Sequence, residues 1–215
     1  MNNVVQIESA NPKRANIHTI VAVSLFHLIA IAAFFTFSWQ NLAAAMVAWW
    51  ISGSLGIGLG YHRLLTHKGY TAPDWLRRFL MICGTLALQA GPLSWVTTHR
   101  MHHAYTDTDK DPHSPRNGVF WSHVGWIFQG KAQQHSMAEH ERFSPDLLKD
   151  RWNIIGEKYY WATLVVAGLI MFAIGGWTMV IWGIFFRTVV GWHVTWAVNS
   201  VTHIWGSRRF ETRDA

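Results

Sequence analysis

After Lys13-Arg14 the chain runs from residue 15 to residue 62 without one Asp, Glu, Lys or Arg. A bilayer crossing takes about 20 apolar residues, so a run this long admits two crossings with a turn between them. Ser38-Trp39-Gln40-Asn41 is its most polar stretch and carries an interfacial Trp, which puts crossings near 17–37 and 42–60. Uncharged sequence returns at 159–186 and, after Arg187, at 188–207. Gly175-Gly176 is the strongest turn signal there, giving a short crossing near 160–174 and a longer helix near 177–205. At 1.5 Å per residue that last helix would span ~43 Å and overshoot the hydrocarbon core, so its final turns, with Asn199 and His203, should stand in water. The remaining apolar stretch, about 76–96, contains Gln89, Ala90-Gly91-Pro92 and Ser94. It reads as an interfacial helix.

The basic residues fix an orientation. Of 18 Lys and Arg, all but Arg187 lie in the N-terminal piece, in 61–158 or in the C-terminal piece. Cytoplasmic loops carry such an excess. The predicted fold is therefore an all-α, multi-pass integral membrane protein, read as one domain over residues 1–215. Four transmembrane helices would sit beneath a cytosolic helical cap, with both termini and the histidine boxes cytoplasmic. The net charge of +6 then faces membrane lipid and is no nucleic-acid footprint. A single cysteine, Cys83, excludes an intramolecular disulfide and a cysteine-based zinc framework.

Thirteen histidines are the second unusual feature. His62 and His67 form an H-x4-H pair where the second crossing leaves the membrane. His99, His102 and His103 form an H-x2-H-H cluster, and on a helix positions i, i+3 and i+4 share a face. The i, i+5 pair shares a face less well and should sit at a helix bend or approach from another side. Neutral imidazole suits iron, copper, zinc or nickel. Five such ligands exceed one tetrahedral site, so two metals are the natural inference. His203 is a sixth candidate, and Asn199, one turn before it, could hold a metal-bound water. His18, His27, His135, His140 and His193 stand alone in sequence and read as polar side chains finding water. His113 reads as part of a polar turn, and His123 as structural.

The motifs Gly-Tyr-His-Arg-Leu-Leu-Thr-His (60–67), Thr-His-Arg-Met-His-His (98–103), Asp111-Pro112-His113, Ser122-His123-Val124-Gly125-Trp126 and Asn199-Ser-Val-Thr-His203 together resemble the membrane-bound fatty-acid desaturases. The likeness is to the delta-9 group, which includes stearoyl-CoA desaturase and bacterial acyl-lipid enzymes. It implies two iron ions on histidines, with the di-iron centre doing the catalysis and no separate side-chain acid or base. It implies O2-dependent insertion of a cis double bond into a saturated acyl chain carried on CoA or on a lipid. Electrons would come from a separate donor such as ferredoxin or cytochrome b5 with its reductase. Gln89, Trp95, Thr195 and Trp196 resemble the residues that bend the family's acyl tunnel, and Trp126 resembles a substrate-contacting Trp.

Two departures stand out. Acyl-CoA members carry an Asn and an Arg-Asp pair where this sequence has Ala90, Thr97 and Thr98, which leaves lipid-linked acyl chains open. The family also has a third H-x2-H-H box beyond the fourth helix, and this sequence stops at Ala215 before any such box. Six histidines should hold the second iron poorly, so residues 1–215 alone are expected to form no alkene. The rival readings are a di-iron alkyl or lipid hydroxylase, and a non-catalytic histidine-rich metal-binding membrane protein. A transporter should place its ligands at the bilayer midplane, whereas these clusters lie at helix ends.

Overall fold

The computed structural model describes residues 15–130, 132 and 134–207. The two terminal pieces expected to be cytoplasmic, 1–14 and 208–215, lie outside the described residues. Among these residues the secondary structure is helical throughout, with no strand.

Helix α1 (Ile17–Ile31) opens on Asn16, whose side chain accepts from the Thr19 amide, and closes in a short 3-10 turn, Ala32–Phe35. Such a cap satisfies an amide that the helix itself leaves unpaired and contributes about 1 kcal/mol. Ser38 caps α2 (Trp39–Trp49) in the same way, so the polar turn predicted at 38–41 is the start of a helix. The helix continues without a break as a π-helical stretch, Trp50–Thr66, that carries the first histidine pair. Gly56 and Gly60 let this stretch lie against α3 (Asp74–Thr85), because a Cβ at either would run into the backbone of Cys83 or Leu80.

The stretch 76–96, expected as one interfacial helix, is two. After α3 the backbone takes positive φ at Leu88 (52°) and Ala90 (77°), and Pro92 then opens α4 (Pro92–Tyr105). Left-handed residues end one helix, and proline at the first position starts the next without losing a bond. Short elements follow: a π turn Trp121–Gly125 leading into α5 (Trp126–Phe128), then α6 (Met137–Phe143) and α7 (Pro145–Leu148).

Helix α8 (Arg151–Val180) breaks at Gly175 and Gly176, the latter at φ 66°, where the turn was expected. Beyond the break, Val180 and Ile184 pack back on Leu164. The chain passes through π turns (Ile181–Phe186) into α9 (Arg187–Ile204). Among the described residues, three helical segments are long and apolar enough to cross a membrane: Ile17–Phe35, Trp39–Thr66 and Arg151–Ile204. Their outer faces expose Leu25, Leu28, Phe35, Leu169, Ile174 and Trp177, as surfaces solvated by lipid do.

Candidate metal centre and adjoining cavity

The π winding of the second helix resolves the awkward i, i+5 spacing. The His67 amide donates to the His62 carbonyl at 3.1 Å, the i→i+5 bond of a π turn, and this brings the two side chains together edge to face. Their rings lie 4.6 Å apart, with Nε2 atoms 3.1 Å from each other. Helix α4 delivers His99 and His103 to the same point, also 3.1 Å apart at Nε2. One nitrogen from each of His62, His67, His99 and His103 falls within 4.8 Å of all the others. Burial and the neighbouring His103, His62, His102 and His67 push His99 down to about 2, and His103 is lowered for the same reasons. His99 and His103 therefore stay neutral and present lone pairs, as metal ligands must.

His102 points away from that group into a second one with Asp111 and His113, whose ligand atoms again lie within 4.8 Å of one another. Asp111 accepts from His102 Nδ1 at 2.9 Å and from the amides of Asp107 and His113. Burial alone would raise the Asp111 carboxyl, but the His102 hydrogen bond and the His113 charge bring it below its usual value. His203 donates from Nδ1 to Asp107 at 3.1 Å, and its ring lies 5.5 Å from that of His102. Carboxylates on Nδ1 fix the tautomer and leave Nε2 free for a metal. The donor set of both groups thus fits an imidazole-loving metal. The His102 and His103 rings are 5.5 Å apart, so the two groups are neighbours along α4.

His113 lies in a turn, as expected, but faces inward. It is buried, its ring lies 4.3 Å from that of His102, and its Nδ1 has no hydrogen-bond partner. No spacing rule finds it, because nine residues, the end of α4 and a turn, separate it from the second box. His135 and His140 also depart from expectation. Both are buried beneath α4, against Thr98 at 2.7 Å and Thr97 at 2.9 Å, instead of reaching water.

Two further contacts set α4 in place. Glu157 of α8 accepts from the Ser94 amide (3.0 Å) and hydroxyl (2.5 Å), capping a helix that has no cap of its own. Arg100 reaches Asp146 through two bonds (2.7 and 3.1 Å) and also donates to the carbonyls of Thr66, Leu65 and Phe143. Burial works against the Asp146 charge, yet Arg100 and Lys68 hold its carboxyl down to about 2. The first box and the second are thus tied by one guanidinium.

Beside the groups lies a cavity of about 250 Å³ lined mainly by apolar side chains. Gln89, Trp95, Trp126, Thr195 and Trp196 all line it, as do His99, His113 and Asn199. Gln89 donates to Thr195 at 2.9 Å and accepts from the Trp95 indole at 3.3 Å, so three of these residues are locked to one another. Trp196 stacks on Trp192, whose indole donates to the Ala87 and Leu88 carbonyls.

A nitrogen-rich group beside an apolar cavity, on helices that can cross a bilayer, defines a class: a membrane protein able to hold a metal next to an apolar ligand. The comparisons give the family. A fatty acid desaturase family model matches residues 37–215. The chain is 42% identical over 208 residues to an sn-1 stearoyl-lipid 9-desaturase of Anabaena variabilis, covering 96% of this chain and 75% of that one. An sn-2 palmitoyl-lipid 9-desaturase of Nostoc sp. (strain 36) is 38% identical over 208 residues, with 96% and 73% covered. An acyl-CoA 5-desaturase of Anemone leveillei is 36% identical over 199 residues, with 93% and 62% covered. The chain belongs to the fatty acid desaturase family, a family of metal-dependent membrane oxidoreductases.

Proposed function

We propose that this protein desaturates an acyl chain carried on a membrane lipid, with the delta-9 outcome of its relatives. The observation that carries the reading is the double position of His99. It belongs to the four-imidazole group and also to the wall of the apolar cavity. A methylene chain in that cavity would lie directly against the metal-binding group.

His62, His67, His99 and His103 would hold one iron, and His102 and His203, with Asn199 on a bound water, the other. Iron held there supplies the O2 chemistry, driven by a separate electron donor, that removes two hydrogens from an unactivated chain. The protein's own residues do the positioning. Gln89, Thr195 and Trp95, bonded to one another, form a rigid bend in the cavity, and Trp126 and Trp196 close its sides. The apolar wall excludes water from the reacting carbons. Asp111 and Asp107 hold the His102 and His203 rings in orientation through Nδ1.

Lipid-linked substrate is favoured by Thr97 and Thr98. Both are buried and bonded to His140 and His135, so neither offers a group to a CoA head. Four crossings, with the break at Gly175 and Gly176 as the outer turn, would put every box histidine on the cytoplasmic face. Cysteine labelling at Ser38 and at Ser136 tests this: opposite accessibility supports four crossings, and equal accessibility refutes them. The activity test uses membranes carrying the protein its gene encodes, given reduced ferredoxin, O2 and stearoyl- or palmitoyl-lipid. The expected product is the cis-monounsaturated lipid, lost in His99→Ala. A hydroxylated product, or turnover unaffected by that substitution, refutes the proposal.

A further inference from the structure

Three histidines outside the metal groups converge from distant parts of the chain. His27 of α1 meets His193 of α9, Nε2 to Nε2, at 3.0 Å. His193 Nδ1 meets His123 Nε2, also at 3.0 Å, and His123 Nδ1 lies 3.0 Å from the Ser200 hydroxyl. The ends are fixed by acceptors. His27 Nδ1 donates to the Val23 carbonyl at 2.7 Å, and Ser200 donates to the Trp196 carbonyl at 2.9 Å. His193 spends both nitrogens, so this is a chain and not a metal cage.

The hydrogens can be counted. Five links join the two carbonyls, while three neutral imidazoles and one hydroxyl bring four hydrogens. With no extra proton one link has two lone pairs face to face. One added proton completes all five. Ionisable side chains inside apolar helices are costly and usually mark a function.

One cation, Arg116 of the 3-10 turn Pro115–Asn117, belongs to an element packed on α9. The remaining ionisable groups of α1 and α9 are His18, Arg187 and His203. Arg187 is engaged with Gly183, Ser52 and Leu86, and His203 with Asp107. The π turn and α5 contribute only His123, and the Ile181–Phe186 turns packed on α1 contribute none.

The position of the chain gives it a role. Helix α1 turns Thr19, Ala22, Val23 and Phe26 toward the cavity and leaves Val21, Leu25 and Leu28 exposed on its far side. A single helix therefore separates the cavity from the surrounding lipid, and the imidazole chain closes the seam between it and α9. We propose that His27, His193, His123 and Ser200 share one extra proton and act as a latch on α1, which when released admits the acyl tail of a bilayer lipid to the cavity. The gating role rests on the acyl reading of the cavity, whereas the proton-dependent latch does not. The sign follows from the count: the latch is closed when protonated and loosens as pH rises.

The test uses the full chain in phosphatidylcholine nanodiscs, spin-labelled at Leu25 and Val198 on a Cys83→Ser background. Pulsed EPR should give a narrow distance distribution near pH 5 that broadens to longer distances by about pH 8. His193→Phe and His27→Gln should each give one pH-independent distribution with iron content unchanged. A native distance that ignores pH, or a pH dependence that survives both variants, overturns the latch. Entry is read separately, by quenching of tryptophan fluorescence by a parinaroyl phosphatidylcholine. Its rate should rise severalfold from pH 5 to about pH 8 in the native chain only, and equal rates overturn the gate.

Discussion

The two histidine groups sit side by side on α4 yet are built differently. The first, His62, His67, His99 and His103, is all imidazole, and the winding of two helices alone aims its rings. The second, His102 with Asp111 and His113 and with His203 beside it, draws on α4, a loop and the end of α9, and carboxylates grip the His102 and His203 rings through Nδ1. A group aimed by helices tolerates no change of helical register. A group aimed by hydrogen bonds can be loosened one bond at a time.

The largest expected effect breaks the first group. His99→Ala removes a ligand and part of the cavity wall together, so iron at that group and double-bond formation should both fall by more than the ~10–100-fold typical of outer-shell changes. Next comes Asp111→Asn, which removes the carboxylate that accepts from His102 and from the Asp107 amide. It should cost about 10–100-fold in affinity at the second group and leave the first loaded. Equal losses at both groups would show that they act as one unit, contrary to the comparison above.

A pH series on the metal-free protein separates them further. His99, held down to about 2 by burial and its neighbours, stays neutral in the fold but takes a proton on unfolding below ~6.5. The unfolded state then binds more protons, so stability drops as pH falls below ~6.5. His113, lowered to about 4 mainly by burial and His102, adds to that slope. Asp111, whose carboxyl is lowered in the fold, loses its contribution only below ~3.9. Thermal melts from pH 7 to pH 5 should therefore flatten in His99→Gln and keep their slope in Asp111→Asn.

The smallest effect on metal is expected at the outer positions. Asn199→Ala should cost about 10-fold, and iron assay should find His140→Ala fully loaded. His140→Ala should still lower stability by about 1 kcal/mol, because Thr97 loses one of its two buried hydrogen-bond partners and keeps only Ser144.

Much of this was legible in the sequence because charge and short spacing are local signals. The uncharged runs gave the apolar helices, Gly175-Gly176 gave the break in α8, and H-x2-H-H gave the pairing of His99 with His103, although His102, expected to converge with them, turns into the other group. The alignment of His62 with His67 was not, because it needs a π winding that no residue pattern announces. The division of 76–96 turns on positive φ at Leu88 and Ala90, and neither is a residue type that normally marks one. His27, His193 and His123 looked solitary because the contacts that unite them span 166 and 70 residues of chain.

The most direct measurement of the two-group account is iron per chain, by mass spectrometry of the purified protein, in native, His67→Ala and His102→Ala forms. The account expects two irons in the native protein, with each substitution emptying its own group and leaving about one. A native value of one, or a value that neither substitution lowers, would contradict it.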